Sequence, residues 1–289
     1  LPPSKHCRSQ RAFTLAELLV AMTLTVVMVT LLLSLTQGLV GNFNRTKGNM
    51  VRQADASFAL DQLILDLEGI SIPNAAGAEA LRMTPETVGN AETVWLTFLS
   101  TAIDRDNSTT NPNIRHEGAS RAISYRMALQ NTLDEGADHP DYALYRSIAS
   151  AKHTFENALN TLDLQEDYWE ALPAAPEPTP APPTTVANFL AGNVVGLSIR
   201  FLGTPGDSQA WTQPDQFIRI GSDGFFVSDD ETFSDNEKVE GGFRRAEVAI
   251  TTLSPEGSAK LRTGGLSFED AVRQFGRTSV RQTADLNLD

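Results

Sequence analysis

The pattern of apolar and polar positions changes period along this chain. Leu18 to Leu35 is 18 residues without a charge, close to the ~20 apolar residues that span a bilayer core. With Phe13 to Val40 around it, the segment has ample length at ~1.5 Å per residue, and it predicts a transmembrane helix over 13–41. From Asn44 to Ile70 the chain reads "NRTKGNMVRQADASFALDQLILDLEGI". There Ala56, Leu60, Leu63, Ile64 and Leu67 recur at three- and four-residue steps, with Ala59 close by. That spacing predicts an amphipathic continuation of the same helix over 42–72. Arg45, Lys47 and Arg52 lie just beyond the bilayer, and Asp55, Asp61, Asp66 and Glu68 fall on the wetter side. Gly69 and Pro73 mark its end. Gly38, Gly41 and Gly48 are places where so long a helix can bend.

The period then falls to two. Glu92–Ser100 sets Val94, Leu96 and Phe98 against Thr93, Trp95 and Thr97. Arg121–Leu129 alternates through Ile123 and Tyr125, and Asp141–Ile148 is short and aromatic. Asn193–Gly203 and Arg244–Ser254 are the clearest strands, rich in β-branched residues. Four or five such segments separated by turn-rich loops predict an α+β head over 73–289, a long helix packed on an antiparallel sheet. "PAAPEPTPAPPTT", 173–185, has six prolines in 13 residues and is neither helix nor central strand. It reads as an extended connector of up to ~40 Å, a loop inserted within one head, because the strands before it are too few to bury both sheet faces. Ala271, Val272 and Phe275 sit at helical spacing within Phe268–Thr283, which predicts a C-terminal helix or a partly ordered tail. "GSDG", Gly221–Gly224, reads as a turn.

Charge narrows the choice of partners. The 289 residues carry a formal charge of −13, with 36 acids against 23 bases. No basic stripe lies outside the extreme N-terminus, so nucleic acid is not an expected partner. The one cysteine, Cys7, makes no internal disulfide and no multi-cysteine metal site. Lys5, Arg8 and Arg11 precede the apolar run without an accompanying acid, which orients the N-terminus to the cytoplasm. The run is too long for a secretory signal, and no small-residue cleavage site follows it.

One residue does not suit an ordinary anchor. Glu17 stands inside the charged end of the apolar run, where a carboxylate is costly and marks function. Its setting, Ala12-Phe13-Thr14-Leu15-Ala16-Glu17-Leu18-Leu19, resembles the cleavage and methylation signal of type IV prepilins and type II secretion pseudopilins. The resemblance implies a basic leader over 1–12, a cut between Ala12 and Phe13 by a prepilin peptidase, and methylation of the new Phe13 amine. The family usually has Gly before the cut, where this chain has Ala12. Loss of Lys5, Arg8 and Arg11 leaves 20 bases against 36 acids, a mature side-chain charge of −16. In a filament, the resemblance assigns Glu17 to assembly, paired with the amine of a neighbouring pilin or pseudopilin. Two opposite charges in a dry bundle compensate each other's desolvation. The local alternative is a carboxylate that snorkels to the headgroups.

"RQADASFALDQLILDLEGI" further resembles the larger minor pseudopilins of the J type and their W-type pilus relatives. In that head a Tyr-Arg strand pairs with a Leu-Tyr-Arg strand, as "ISYRMAL" and "YALYRSI" would here. The implied protein is a single-pass inner-membrane subunit with its head in the periplasm. It is a structural component of a type II secretion or type IV pilus filament and not an enzyme. An uncleaved membrane-anchored periplasmic binding domain is the alternative, and a tethered hydrolase lacks a nucleophile constellation. His116, His139 and His153 form no paired motif, and there is no G-x-S-x-G, Walker A or Rossmann pattern. No cofactor is expected. Some major pseudopilins bind calcium, but the run from Asp104 lacks the EF-hand Gly and Glu. The acids Asp223, Asp229, Asp230, Glu231, Asp235 and Glu237 fit no ligand spacing. They read as a solvated loop, with a calcium-stabilised loop as the alternative on ligand chemistry alone.

Overall fold

The computed structural model describes residues 14–74, 78–101, 120–130, 141–149, 154, 188–203, 212, 215–230, 233–234, 238–239 and 242–286. The chain divides into two compact units, one up to Gly48 and one from Asn49. The Pro-rich stretch 173–185, the Asp104 run and all three histidines noted above lie outside the described residues.

Helix α1 is a single 54-residue helix, Leu15–Glu68. In the first unit its side chains from Thr14 to Phe43 are exposed. The threonines within the apolar run bond back to their own helix: Thr23 Oγ1 donates to the Val20 carbonyl at 2.9 Å, Thr25 to Ala21 at 2.7 Å, Thr30 to Val26 at 2.8 Å and Thr36 to Leu32 at 2.8 Å. A hydroxyl satisfied in this way can face hydrocarbon without an unpaired donor.

In the second unit the amphipathic stripe is buried as the spacing predicts: Ala56, Ala59, Leu60, Leu63 and Leu67 are fully buried and Ile64 nearly so. Asp55, Asp61 and Glu68 are exposed, but Asp66 is not on the wet side. It is 0% exposed, because it lies three residues after Leu63 and seven after Ala59, on the apolar face. The helix ends at Glu68, just before Gly69. The chain then turns along the sheet, with Ser71 N donating to the Leu99 carbonyl and Thr101 N to the Gly69 carbonyl.

Ten strands form two antiparallel sheets among the described residues, twice the number the period-two pattern picks out. The larger contains β1 (Glu79–Val88), β2 (Ala91–Ser100), β3 (Arg121–Gln130), β4 (Asp141–Ile148), β5 (Phe189–Gly192), β7 (Phe217–Gly221) and β8 (Gly224–Ser228), in the order β5-β4-β3-β2-β1-β7-β8. The smaller contains β6 (Val194–Gly203), β9 (Phe243–Leu253) and β10 (Gly276–Asp285), in the order β10-β9-β6. The chain leaves one sheet for the other at Asn193, the single residue between β5 and β6. Its φ of 56° suits an asparagine, and its side chain accepts from Ser258 Oγ at 2.5 Å.

The strands missed in the sequence have physical reasons. β1 contains Pro85, which demotes a run read from sequence, and β5, β7 and β8 have only four or five residues each. The Gly221–Gly224 turn is the β7–β8 hairpin. The C-terminal helix is confined to Phe268–Phe275 (α3). Beyond it, Gly276–Asp285 is strand β10 and not a continuation of the helix, because Thr278, Val280 and Thr283 are β-branched and β9 offers a free edge. A further short helix, α2, spans Pro255–Arg262, with Ser254 as its N-cap and Pro at the start.

β2 is buried on both faces from Thr93 to Ser100. Val94, Leu96 and Phe98 join the core with Leu81, Met83, Ile123 and Leu63. On the other face the Trp95 indole lies under the Arg126 guanidinium, 4.2 Å from ring centroid to Cζ, and donates to Ser124 Oγ at 2.7 Å. Arg126 is itself paired with Glu86 at 2.6 Å.

Candidate functional site

The candidate site is the first turn of α1 with the apolar run behind it. Ala12 and Phe13 lie outside the described residues. Glu17 is the acid of the first helical turn. The Thr14 backbone N–H donates to Glu17 Oε2 at 3.0 Å, and the Thr14 hydroxyl donates to the same oxygen at 3.1 Å. In return the Glu17 N–H donates to Thr14 Oγ1 at 3.3 Å. This is a reciprocal capping box, in which two helix-end amides that would otherwise be orphaned are satisfied. The sequence carried that signal as Thr-x-x-Glu, and the reading of Glu17 as a docking group passed over Thr14. The cap also places a carboxylate where the helix dipole favours negative charge.

Glu17 therefore has a local role within one chain, which explains why it is tolerated so close to the apolar run. A carboxylate has about four acceptor positions, and the cap uses Oε2. By length and composition, α1 is the one helix among the described residues able to cross a membrane. No group of three or more metal-ligating side chains occurs among the described residues.

A second polar cluster lies deep in the head, and sequence reading did not find it. Asp66 accepts two bonds from Arg146, Nε to Oδ2 at 2.6 Å and Nη2 to Oδ1 at 2.9 Å. The Tyr125 hydroxyl donates to Oδ2 at 2.6 Å and Gln62 Nε2 to Oδ1 at 3.1 Å. Ser100 Oγ closes the group by donating to the Asp66 carbonyl at 2.9 Å. Burial, and then the neighbouring Asp66 carboxylate, raise the Tyr125 phenol well above its ordinary value. The signal was spread over four segments, α1, β2, β3 and β4, and the pairing of β3 with β4 sets Tyr125 opposite Arg146. Four donors converging on one buried carboxylate make a structural clamp between α1 and the sheet.

The model of the prokaryotic N-terminal methylation motif matches residues 7–33, a span that includes Ala12, Phe13 and Glu17. No curated protein matches the chain. Among solved structures, a type IV-like pilin from Thermus thermophilus is similar at 10% identity and a TM-score of 0.36, over 80% of this chain and 95% of that one. The α+β architecture, one long N-terminal helix with antiparallel sheets, is read from this chain's own structure.

Proposed function

We propose that this chain is a type IV pilin-like structural subunit, cut between Ala12 and Phe13 by a prepilin peptidase that also methylates the Phe13 amine. The methylation-motif match over residues 7–33 carries this reading. The uncharged run Leu18–Leu35 of α1, behind the motif, supports it as a single inner-membrane span with a cytoplasmic N-terminus and a periplasmic head. In the assembled filament Glu17 pairs with the amine of an adjacent subunit. The capping bonds on Oε2 leave acceptor capacity for an ammonium. The system served is a type II secretion or type IV pilus filament. The antiparallel pairing of "ISYRMAL" with "YALYRSI" favours a minor subunit of the J or W type.

The test separates capping from docking. Glu17→Gln keeps a capping-box side chain and removes the charge. Membrane insertion and cleavage should persist while incorporation into filaments falls, as it also should in Glu17→Ala. Incorporation of Glu17→Gln at the wild-type level would refute the docking role. Mature protein from its native cells that still begins upstream of Phe13 would refute the filament reading and favour an uncleaved anchor.

A further inference from the structure

We infer that the cleft bounded by α1, the end of β9 and the start of β10 is an oxyanion site that takes a phosphate-bearing group of small polar-headgroup size. The cleft holds about 340 Å³, and its lining includes Asn49, Arg52 and Gln53 from α1, Ser254, and Arg277 and Thr278 from β10. That volume is at the small end for ligand pockets, larger than a bare phosphate needs and suited to phosphate with a short polar appendage.

Electrostatics identify the ligand class. The chain carries −13 overall, yet among the described residues two guanidiniums and no carboxylate line this concavity. A low-dielectric wall focuses such a local positive field. Guanidinium forks match the paired oxygens of a phosphate. Arg52 is already held, donating through Nη1 to the Leu253 carbonyl, so less rotamer freedom is lost on binding. Arg277 is exposed on β10. The Ser254 hydroxyl accepts from the Gly257 N–H at 3.2 Å, so its hydrogen points to a different acceptor. Hydroxyls from Ser254 and Thr278 with amides from Asn49 and Gln53 supply the neutral donors that complete an oxyanion shell. The site stands independently of the filament reading.

The same phosphate chemistry can come from a free phosphate ester or from an anionic lipid headgroup, and the experiment distinguishes them. The full chain in neutral detergent is titrated with inorganic phosphate and with glycerol phosphate at constant ionic strength, using chloride as the balance, and the affinity is read by calorimetry. Saturable binding of either, weakened about 10-fold or more in Arg277→Gln and partly restored in Arg277→Lys, supports the site. The chain is then placed in discs of phosphatidylcholine with and without phosphatidylglycerol. Loss of phosphate binding only in the phosphatidylglycerol discs assigns the site to a headgroup, and unchanged binding assigns it to a soluble ester. An absence of saturable binding, an equal response to chloride, or an Arg277→Gln protein that binds like wild type would overturn the proposal.

Discussion

Replacing Arg146 by Met isolates the contribution of the buried clamp. Asp66 is 0% exposed and the Arg146 side chain 13% exposed, so neither charge is well solvated when the other is removed. In Arg146→Met the carboxylate keeps Tyr125 and Gln62 as donors but loses its counter-charge. Breaking a buried pair in this way costs about 3–5 kcal/mol. At about 2–4 °C per kcal/mol for a unit of this size, thermal unfolding should fall by roughly 6–20 °C. Asp66→Leu combined with Arg146→Met removes both charges and fills the space with apolar atoms. Removing both charges avoids an unpaired buried charge, although the Tyr125 hydroxyl loses its acceptor, so the double variant should unfold above either single one. The measurement is near-ultraviolet circular dichroism against temperature on the full chain in detergent. A fall of under about 2 °C in Arg146→Met would refute the reasoning, as would a double variant no better than the sum of the singles.

Two further outcomes follow from the same geometry. Gly89, at φ 61° in the two-residue β1–β2 turn, has the Tyr142 hydroxyl 2.8 Å from where a Cβ would stand. Gly89→Ala should therefore lower stability by about 1–3 kcal/mol, and Tyr142→Phe in that background should recover part of it in chemical denaturation. Burial holds the Tyr145 phenol up at about 12 and the Tyr125 phenol also high. A raised pKa means the folded state holds the proton more tightly. The stabilisation is complete below the ordinary phenol value near ~10 and is lost as pH rises toward the folded values. Unfolding midpoints should be flat in these groups up to about pH 10 and fall above it, with a shallower fall in Tyr145→Phe.

What the residues determined on their own is local. The three- and four-residue recurrence from Ala56 to Leu67 is enough to make a helix and to choose its buried face, because neighbouring turns of one helix read that spacing directly. Alternation in the β6 and β9 segments has the same origin in the pleat. The Thr14–Glu17 cap is equally local, three residues apart, and the Thr-x-x-Glu signal was legible there. Tertiary structure decided the matters that depend on distant partners. Asp66 looks like a solvent-facing acid until Arg146, 80 residues later, arrives beside it. Trp95 and its neighbours look like one face of an alternating strand until Arg126 covers the indole. β1 with Pro85, the short β5, β7 and β8, and β10 after its helix became strands because an edge stood ready to pair with them. A side chain's spacing fixes the face it occupies within its own element. Whether a charge on that face is stable depends on which groups from other elements surround it, and that depends on the assembled sheet.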